Sequence, residues 1–301
     1  MRETDSLRRF LFEEAPLRGH WVKLEDAWSQ ARAHQDHPPA VASLLGQALA
    51  ASTLLAACLK FRGTLTLQVR SQGDVPLLIV QCTHDRQLRG VAQVREGAVI
   101  TDDAGLAELA GRGTLVVTLD NHDGGEPWQG IVPLAGASLA RCLEAYFETS
   151  EQLPTRLILA ADDWRAGGLL LQKLPQTQSA GEGARGRMLE IWDECSLLLD
   201  TLGGRELLDT EPQLLLHRLF SAHDVRLFDA DPVRFSCRCS QARVNSLLLS
   251  LGEDEVKEIL DEQGSVAITC EFCNRQYRYD AIDAAQVFAD APAPDLPSSV
   301  N

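Results

Sequence analysis

Two short stretches decide the fold of the C-terminal part of the chain: FSCRCS at residues 235–240 and CEFCNRQYRYD at residues 270–280. Together they carry four cysteines in two close pairs, with thirty residues between the pairs: Cys237, Cys239, Cys270 and Cys273. Two close pairs, each held on a short turn, can supply the four corners of a tetrahedral thiolate site. The spacing therefore predicts one Zn²⁺ ion bound by these four side chains.

The segment between the two pairs is predicted to fold so that they meet. Its leucines and other apolar residues indicate helices, one of them starting after Gly252 with Asp254 and Glu255 in its first turn. A strand is expected at 266–269, directly before the second pair. Residues 233–288 are thus predicted to form a compact zinc module.

Four thiolates close the coordination shell of zinc and leave no position for water, which argues against a zinc hydrolase. Two roles remain open. Zinc can simply hold together a module that lacks a core of its own, or it can also keep the sulfurs as thiolates that an oxidant converts to disulfides while the metal leaves. Spacing alone favours the purely structural role.

Residues 1–178 show alternating patterns of strands and helices. Apolar residues recur at helical spacing over 40–59, and Ser138 is expected to cap a second helix. A turn through Gly167 and Gly168 is expected to join the last two strands. Alternating or β-branched runs predict strands at 64–70, 76–82, 114–119, 156–161 and 169–174. Several links are too short for crossover helices, so the predicted class is α+β, with a largely antiparallel sheet and packed helices.

Charge and composition limit the classes of partner. The formal net charge is −15, from 43 acidic and 28 basic residues, and a chain this acidic repels phosphate backbones, so no nucleic acid is expected. The N-terminal residues lack the apolar run of a signal peptide, and we expect a cytoplasmic protein. Residues 40–59 carry no charge but are rich in alanine, so a buried core helix is favoured over a membrane span.

Two further segments differ from the rest in composition. Residues 179–232 are expected to be a charged helical linker, beginning in a stretch rich in Gly, Gln and Ser and continuing as short helices over 188–230. Such a segment buries little apolar surface and is marginally stable unless it rests on a neighbour. Residues 289–301, rich in Pro and Ser, are expected to be a disordered tail.

Several stretches together resemble one known family, the bacterial redox-regulated heat-shock holdases, or 33 kDa chaperonins. The resemblance covers nearly the whole chain. It is most specific where the unusual Cys-x-Cys is combined with Cys-Glu-Phe-Cys and the aromatic residues after it. The matching stretches are RFLFE (9–13), SLLGQALAASTLLAACLKFRGTLTLQ (43–68), WQGIVPLAGASLARCLEAYFETSEQLPT (128–155), AGGLLLQKLP (166–175), FSCRCSQARV (235–244), LLSLGEDEV (248–256) and CEFCNRQYRYD (270–280). Trp128 departs from the tyrosine expected there.

This resemblance implies a function that spacing does not give. It implies an ATP-independent holdase for unfolding proteins, zinc-bound and inactive when reduced. Oxidation is implied to form Cys237–Cys239 and Cys270–Cys273 disulfides, release zinc and unfold the module and the linker, with a homodimer as the expected oxidised state. The client-binding domain would be residues 1–178, and no enzymatic activity is expected.

Two other functions stay as alternatives. A thiol oxidoreductase would use Cys270-x-x-Cys273, but it needs that pair at a helix N-terminus in a thioredoxin-like context, and the residues around it favour strands. A zinc-stabilised binding module without redox switching would keep its metal and change little on oxidation. The four remaining cysteines lie in apolar or mixed stretches and are expected to be core residues: Cys58, Cys82, Cys142 and Cys195.

Overall fold

The structure is a computed structural model that describes residues 4–33, 35–121, 124, 126–175 and 182–290, with side chains from residue 187 in the last range. Within it the chain forms two compact units, Met1–Ser236 and Cys237–Asn301, each described by itself below. Residues 176–178 at the end of the expected first domain, residues 179–181 of the expected linker and residues 291–301 of the expected tail lie outside the described residues. The mixed α+β class with antiparallel sheets is confirmed.

Two sheets form the frame of the first unit. The five-stranded sheet has the order β10-β1-β2-β9-β8, with every neighbour antiparallel. The six-stranded sheet has the order β11-β5-β4-β3-β6-β7, antiparallel except at β11. The strands are β1 Ser6–Phe12, β2 Leu17–Leu24, β3 Gly63–Ser71, β4 Leu77–Thr83, β5 Gln87–Gln93, β6 Gly113–Asn121, β7 Trp128–Pro133, β8 Thr155–Ala161, β9 Ala166–Lys173, β10 Val225–Pro232 and β11 Arg234–Phe235.

Helix α2, Pro39–Cys58, is the centre of this unit and packs against strands of both sheets. In the described part of the chain, it is the one helix with the length and hydropathy of a membrane span, and 78% of its apolar window is buried inside the protein, as in a core helix. The other α-helices in the described residues of the unit are α1 Asp26–Arg32, α3 Leu106–Ala110, α4 Leu139–Tyr146, α5 Glu182–Asp200, α6 Gly204–Asp209 and α7 Pro212–Leu219, and a π-helical turn, Phe147–Glu151, follows α4. Ser138 caps α4 as predicted, by accepting a hydrogen bond from the Arg141 backbone.

The turn between β8 and β9 does not lie at Gly167 and Gly168, as the sequence predicted. The turn lies before Arg165, where the Asp162 carboxylate accepts backbone hydrogen bonds, and Gly167 and Gly168 are inside β9. These glycines serve close packing, because a Cβ on Gly168 would lie 2.7 Å from the Leu54 side chain. Close approach of neighbouring elements is a common reason for glycine inside a strand.

Helices α5, α6 and α7 cover the face of the five-stranded sheet that is opposite to α2; we call residues 188–220 the cover. Its leucines and Phe220 join an apolar cluster with β1, β2 and β9. We expected helices up to residue 230, but 225–232 form strand β10, which pairs with β1. Its three charged residues, Arg226, Asp229 and Asp231, are compatible with a strand there, because β10 lies at the sheet edge, where polar side chains reach solvent.

Up to residue 290, the second unit holds three helices and a two-stranded hairpin: α8 Gln241–Leu251, α9 Glu253–Gln263, β12 Val266–Thr269, β13 Gln276–Tyr279 and α10 Ala281–Ala289. The helix after Gly252 and the strand before Cys270 agree with expectation. Its apolar core is small and consists of Val244, Leu248, Val256, Val266, Tyr277, Tyr279 and Ala284. The Tyr279 hydroxyl donates to Asn245 and accepts from Gln241, which ties β13 to α8.

Candidate metal centre

The first cysteine pair is held by the start of helix α8. Ser240 follows Cys239 directly and caps the helix, accepting a hydrogen bond from the Arg243 backbone at 3.3 Å. The Arg243 guanidinium donates to the Arg238 carbonyl at 3.1 Å. The residue between the two cysteines is therefore fixed to the first turn of the helix, and both thiols are held on a short rigid segment.

The second pair occupies the turn between β12 and β13. The Cys270 amide donates to the Arg275 carbonyl at 3.0 Å, and the Asn274 amide donates to the Cys270 carbonyl at 2.8 Å. Asn274 has φ 53°, the left-handed region in which asparagine is one of the few tolerated residues. The sequence reasoning did not single out Asn274, although an asparagine directly after Cys-x-x-Cys was the available signal.

The four sulfur atoms predicted to bind the metal lie close together in the structure. All four lie within 4.8 Å of one another. The Cys237 and Cys270 sulfurs are 3.6 Å apart, and those of Cys239 and Cys273 are 3.4 Å apart. In a tetrahedral site with Zn–S bonds of about 2.3 Å, neighbouring sulfurs are about 3.8 Å apart. The group can therefore hold a metal ion with little adjustment.

The clustered thiols differ in pKa because they lie so close to one another. Burial raises the pKa of Cys237, and burial together with the neighbouring sulfurs raises the pKa of Cys273 to about 12. Burial acts in the same direction on Cys239, but the Tyr277 hydroxyl and the other sulfurs outweigh it and lower that pKa to about 7. One thiolate thus makes the next less favourable, and a cation is what allows all four to be thiolates together.

Two side chains beside Cys239 complete the site. The Tyr277 hydroxyl is buried and lies close enough to Cys239 to lower the pKa of that thiol. The Arg275 pKa is raised by Tyr277 first and then by the charges of Cys239 and Cys273. A positive side chain near the sulfurs partly balances the two excess negative charges of a four-thiolate zinc centre.

The four cysteines outside the cluster are buried in the first unit, as predicted. Burial raises the pKa of Cys58, Cys82 and Cys195 to about 12 and raises that of Cys142. A thiol that stays protonated at neutral pH is a poor nucleophile and a poor metal ligand. These four are therefore core residues and not part of the centre.

Comparison with known proteins agrees with this arrangement. The family model described as Hsp33 protein matches residues 5–280. The chain belongs to the Hsp33 family. Proteins named 33 kDa chaperonin from Pseudomonas aeruginosa and Methylobacillus flagellatus are 46% and 43% identical, over 97% and 96% of both chains. A crystal structure of the 33 kDa chaperonin from Thermotoga maritima has the same fold, with a TM-score of 0.78 at 21% identity, covering 94% of this chain and 98% of that one.

Within this Hsp33 fold, the position of the second pair bears on the oxidoreductase alternative. Cys270 and Cys273 lie on a hairpin turn, with β12 before them and β13 after them. A thioredoxin-like mechanism needs the attacking cysteine at a helix N-terminus, where the helix dipole stabilises its thiolate. The geometry therefore favours a metal centre over a dithiol active site.

Proposed function

We propose that this chain is a redox-regulated, ATP-independent holdase of the cytoplasm that binds unfolding proteins under oxidative stress. The reduced form binds one Zn²⁺ through Cys237, Cys239, Cys270 and Cys273 and is inactive. The observation that carries the proposal is that these four sulfur atoms lie within 4.8 Å of one another. The module that holds them has only a small apolar core of its own. Membership of the Hsp33 family supports the chaperone function.

Zinc fits the chemistry of this donor set. Four thiolates in a tetrahedral arrangement suit Zn²⁺, and the closed shell supports a structural or switching role in place of hydrolysis. Binding of zinc to small modules contributes roughly 10–16 kcal/mol of apparent free energy, which is folding free energy when the apo module is unfolded. The second unit, with one small cluster of buried side chains, is expected to depend on that contribution.

Oxidation is the proposed signal. For each cysteine pair, two thiolates give up two electrons to one peroxide molecule, form one S–S bond and, with two protons, leave two molecules of water. We take the Cys237–Cys239 and Cys270–Cys273 pairing from the family resemblance. Each disulfide removes two thiolate ligands, so the site loses its affinity for zinc and the second unit loses the free energy that folds it.

The client-binding surface is proposed to be the sheet face under the cover. This face is strongly apolar and fully buried in the structure, with Phe10, Phe12, Leu17, Trp21, Leu169 and Leu171 packed against the cover. An apolar face of this size is suited to exposed core segments of an unfolding protein. When the cover and the zinc module lose structure, the face becomes available.

The remaining expectations are part of the same proposal. The partners are unfolded or misfolded proteins, and the oxidised form is expected to associate as a homodimer, with neither nucleic acid nor membrane as a partner. No enzymatic activity is proposed, because binding and holding a client needs no bond-making step. The net charge of −15 suits a holdase, since it keeps a complex with apolar cargo in solution.

The decisive experiment is light scattering of a chemically unfolded client diluted into buffer. We expect protein oxidised by peroxide at elevated temperature to suppress scattering, while zinc-loaded reduced protein does not. The same oxidised protein, returned to the reduced state with a thiol reductant and reloaded with zinc, is the control for nonspecific effects of peroxide, because the reductant reverses the disulfides. Equal behaviour of reduced and oxidised protein would instead support the alternative, a zinc-stabilised binding module without redox switching.

A further inference from the structure

Two arginines outside the cover bind the carboxylate at the end of its first helix. Asp200 is the last residue of α5, and it forms ion pairs with Arg141 on α4 and with Arg156 on β8. Arg141 Nη2 donates to Asp200 Oδ1 at 3.1 Å, and Arg156 Nη2 donates to Asp200 Oδ2. The two oxygens of one carboxylate therefore bind two different guanidinium groups, and this contact joins the cover to α4 and β8.

Arg156 lies at the border of the apolar sheet face that the cover buries. Side chains alternate along a strand, so Arg156 shares its face of β8 with Ile158 and Ala160, which both lie in the apolar cluster under the cover. In the register of the sheet, Arg156 is opposite Leu171 of β9, which is fully buried in the same cluster. A positive charge therefore borders the face that is proposed to bind clients.

The two arginines share one further carboxylate, which balances only one of their two charges. Glu144 Oε2 is 2.6 Å from Arg141 and 3.6 Å from Arg156, and Glu144 Oε1 accepts a hydrogen bond from the Leu157 backbone at 2.8 Å. In the described part of the chain, Glu144 and Asp200 are the two carboxylates that pair with these arginines. Release of the cover removes Asp200 and leaves two positive charges beside one negative charge.

A third arginine that contacts the cover keeps its charge balanced when the cover leaves. Arg165 pairs with Asp209 of the cover at 2.7 Å, but also with Asp162 in its own turn at 3.1 Å. Arg156, in contrast, has a donor to spare, because its buried Nε atom has no hydrogen-bond partner among the residues that the structure describes. Two guanidinium groups that lack one carboxylate are suited to bind another one in the same geometry.

We propose that the released sheet face selects apolar client segments that carry a carboxylate beside them, and that Arg141 and Arg156 bind this carboxylate in the place of Asp200. The inference rests on the proposed function and specifies the class of client segment. The chain as a whole carries a charge of −15 and repels acidic partners at long range, so the preference comes from the arginine pair itself. Unfolding proteins supply such segments, because natural sequences often place charged residues beside aggregation-prone apolar runs.

The test is the fluorescence anisotropy of two labelled peptides mixed with the oxidised, zinc-free full chain. Both peptides consist of leucine, phenylalanine and serine, and they differ at one position beside the apolar run, which is Asp in one and the isosteric Asn in the other. We expect the Asp peptide to bind at least about threefold more tightly at low salt, and the difference to shrink as salt is added. Arg156→Gln should remove this preference. Arg70→Gln, which removes the same charge at an exposed position of the six-stranded sheet, should keep it.

A variant on the cover tests the same contact without changing either arginine, and it covers the case in which Arg156→Gln does not fold. Asp200→Asn removes the carboxylate that competes with that of the client, so the Asp peptide should bind more tightly than to the natural chain, with little change for the Asn peptide.

Equal binding of the two peptides to the natural chain, or an unchanged preference in Arg156→Gln, would overturn the inference and leave the holdase function standing. Binding of neither peptide would also overturn the inference. The light-scattering assay then decides separately whether the proposed function stands.

Discussion

The rings of Phe12 and Phe220 pack edge to face with their centroids 5.1 Å apart. Phe12 ends strand β1, and Phe220 lies at the end of helix α7, so this contact joins the apolar sheet to the cover. Phe10 lies 6.3 Å from each of them, and all three side chains are buried. Aromatic pairs of this kind add about 0.5–1.5 kcal/mol beyond the area that they bury. The cover is therefore anchored at its C-terminal end by specific aromatic contacts.

Removing that anchor should release the cover without oxidation. We expect Phe220→Ala to cost about 3–5 kcal/mol of stability, as for other buried phenylalanines, and to make residues 188–220 of the reduced protein sensitive to protease. If the covered sheet binds clients, the reduced variant should also suppress client aggregation in part.

The matched control is Leu197→Ala, also in the cover but 69% exposed. It should behave like the natural chain in both assays. If protease cuts residues 188–220 of Phe220→Ala but the variant holds no client, the cover is mobile in the variant. The sheet face under it would then not be the surface that clients use.

The sequence predicted well those parts of the fold whose pattern is local. The helix at 40–59 and the capped helix after Ser138 were visible because an apolar run and a cap residue each lie within a few turns. Strand β10 was not visible. Three of its eight residues are charged and it ends in a proline, and its partner β1 is more than two hundred residues away in sequence. Pairing between strands so distant in the chain leaves no periodic signal in either one.

The candidate site, too, was predictable from sequence only where its pattern is local. The four cysteines were found from spacing, because two pairs on short turns are a local pattern. Proximity of Tyr277 to Cys239, and the left-handed conformation of Asn274, depend on how the hairpin closes, so the sequence did not predict them. Similarly, nothing within either segment indicates that Glu14 would meet His223, since the contact forms only when β10 pairs with β1.

Loss of one ligand should unfold the second unit alone. In Cys237→Ser we expect most of the zinc affinity to disappear and the second unit to melt at lower temperature, because three thiolates bind zinc far less tightly and the apolar core is small. Zinc content by a chromogenic chelator and hydrogen exchange across residues 237–290 measure both effects. Cys142→Ser, a buried cysteine outside the cluster, should keep one zinc per chain. Stoichiometric zinc in Cys237→Ser would show that the ligand assignment is wrong.

Thiol alkylation should divide the eight cysteines into two classes. Burial raises the pKa of Cys58 and Cys82 to about 12, so at about pH 8 only about one molecule in ten thousand carries the reactive thiolate at either position. After zinc is removed by a chelator from reduced protein, iodoacetamide should modify the four clustered cysteines first, because they are only half-buried and the unit that holds them loses the free energy of zinc binding. Complete unfolding in denaturant should abolish the difference. Rapid native labelling of Cys58 would contradict its assignment to the core.

The disulfide pattern after oxidation tests the switch most directly. The Cys237 sulfur is 3.6 Å from that of Cys270, and the Cys239 sulfur is 3.4 Å from that of Cys273, so pairing between the two turns is also within reach. We expect peptide mapping by mass spectrometry to find Cys237–Cys239 and Cys270–Cys273, with zinc released in step with the second disulfide. Bonds within each pair leave the two turns unlinked, so the second unit can unfold. Bonds across the pairs would link the two turns covalently and hold the unit together, and finding them would contradict a switch that works by unfolding.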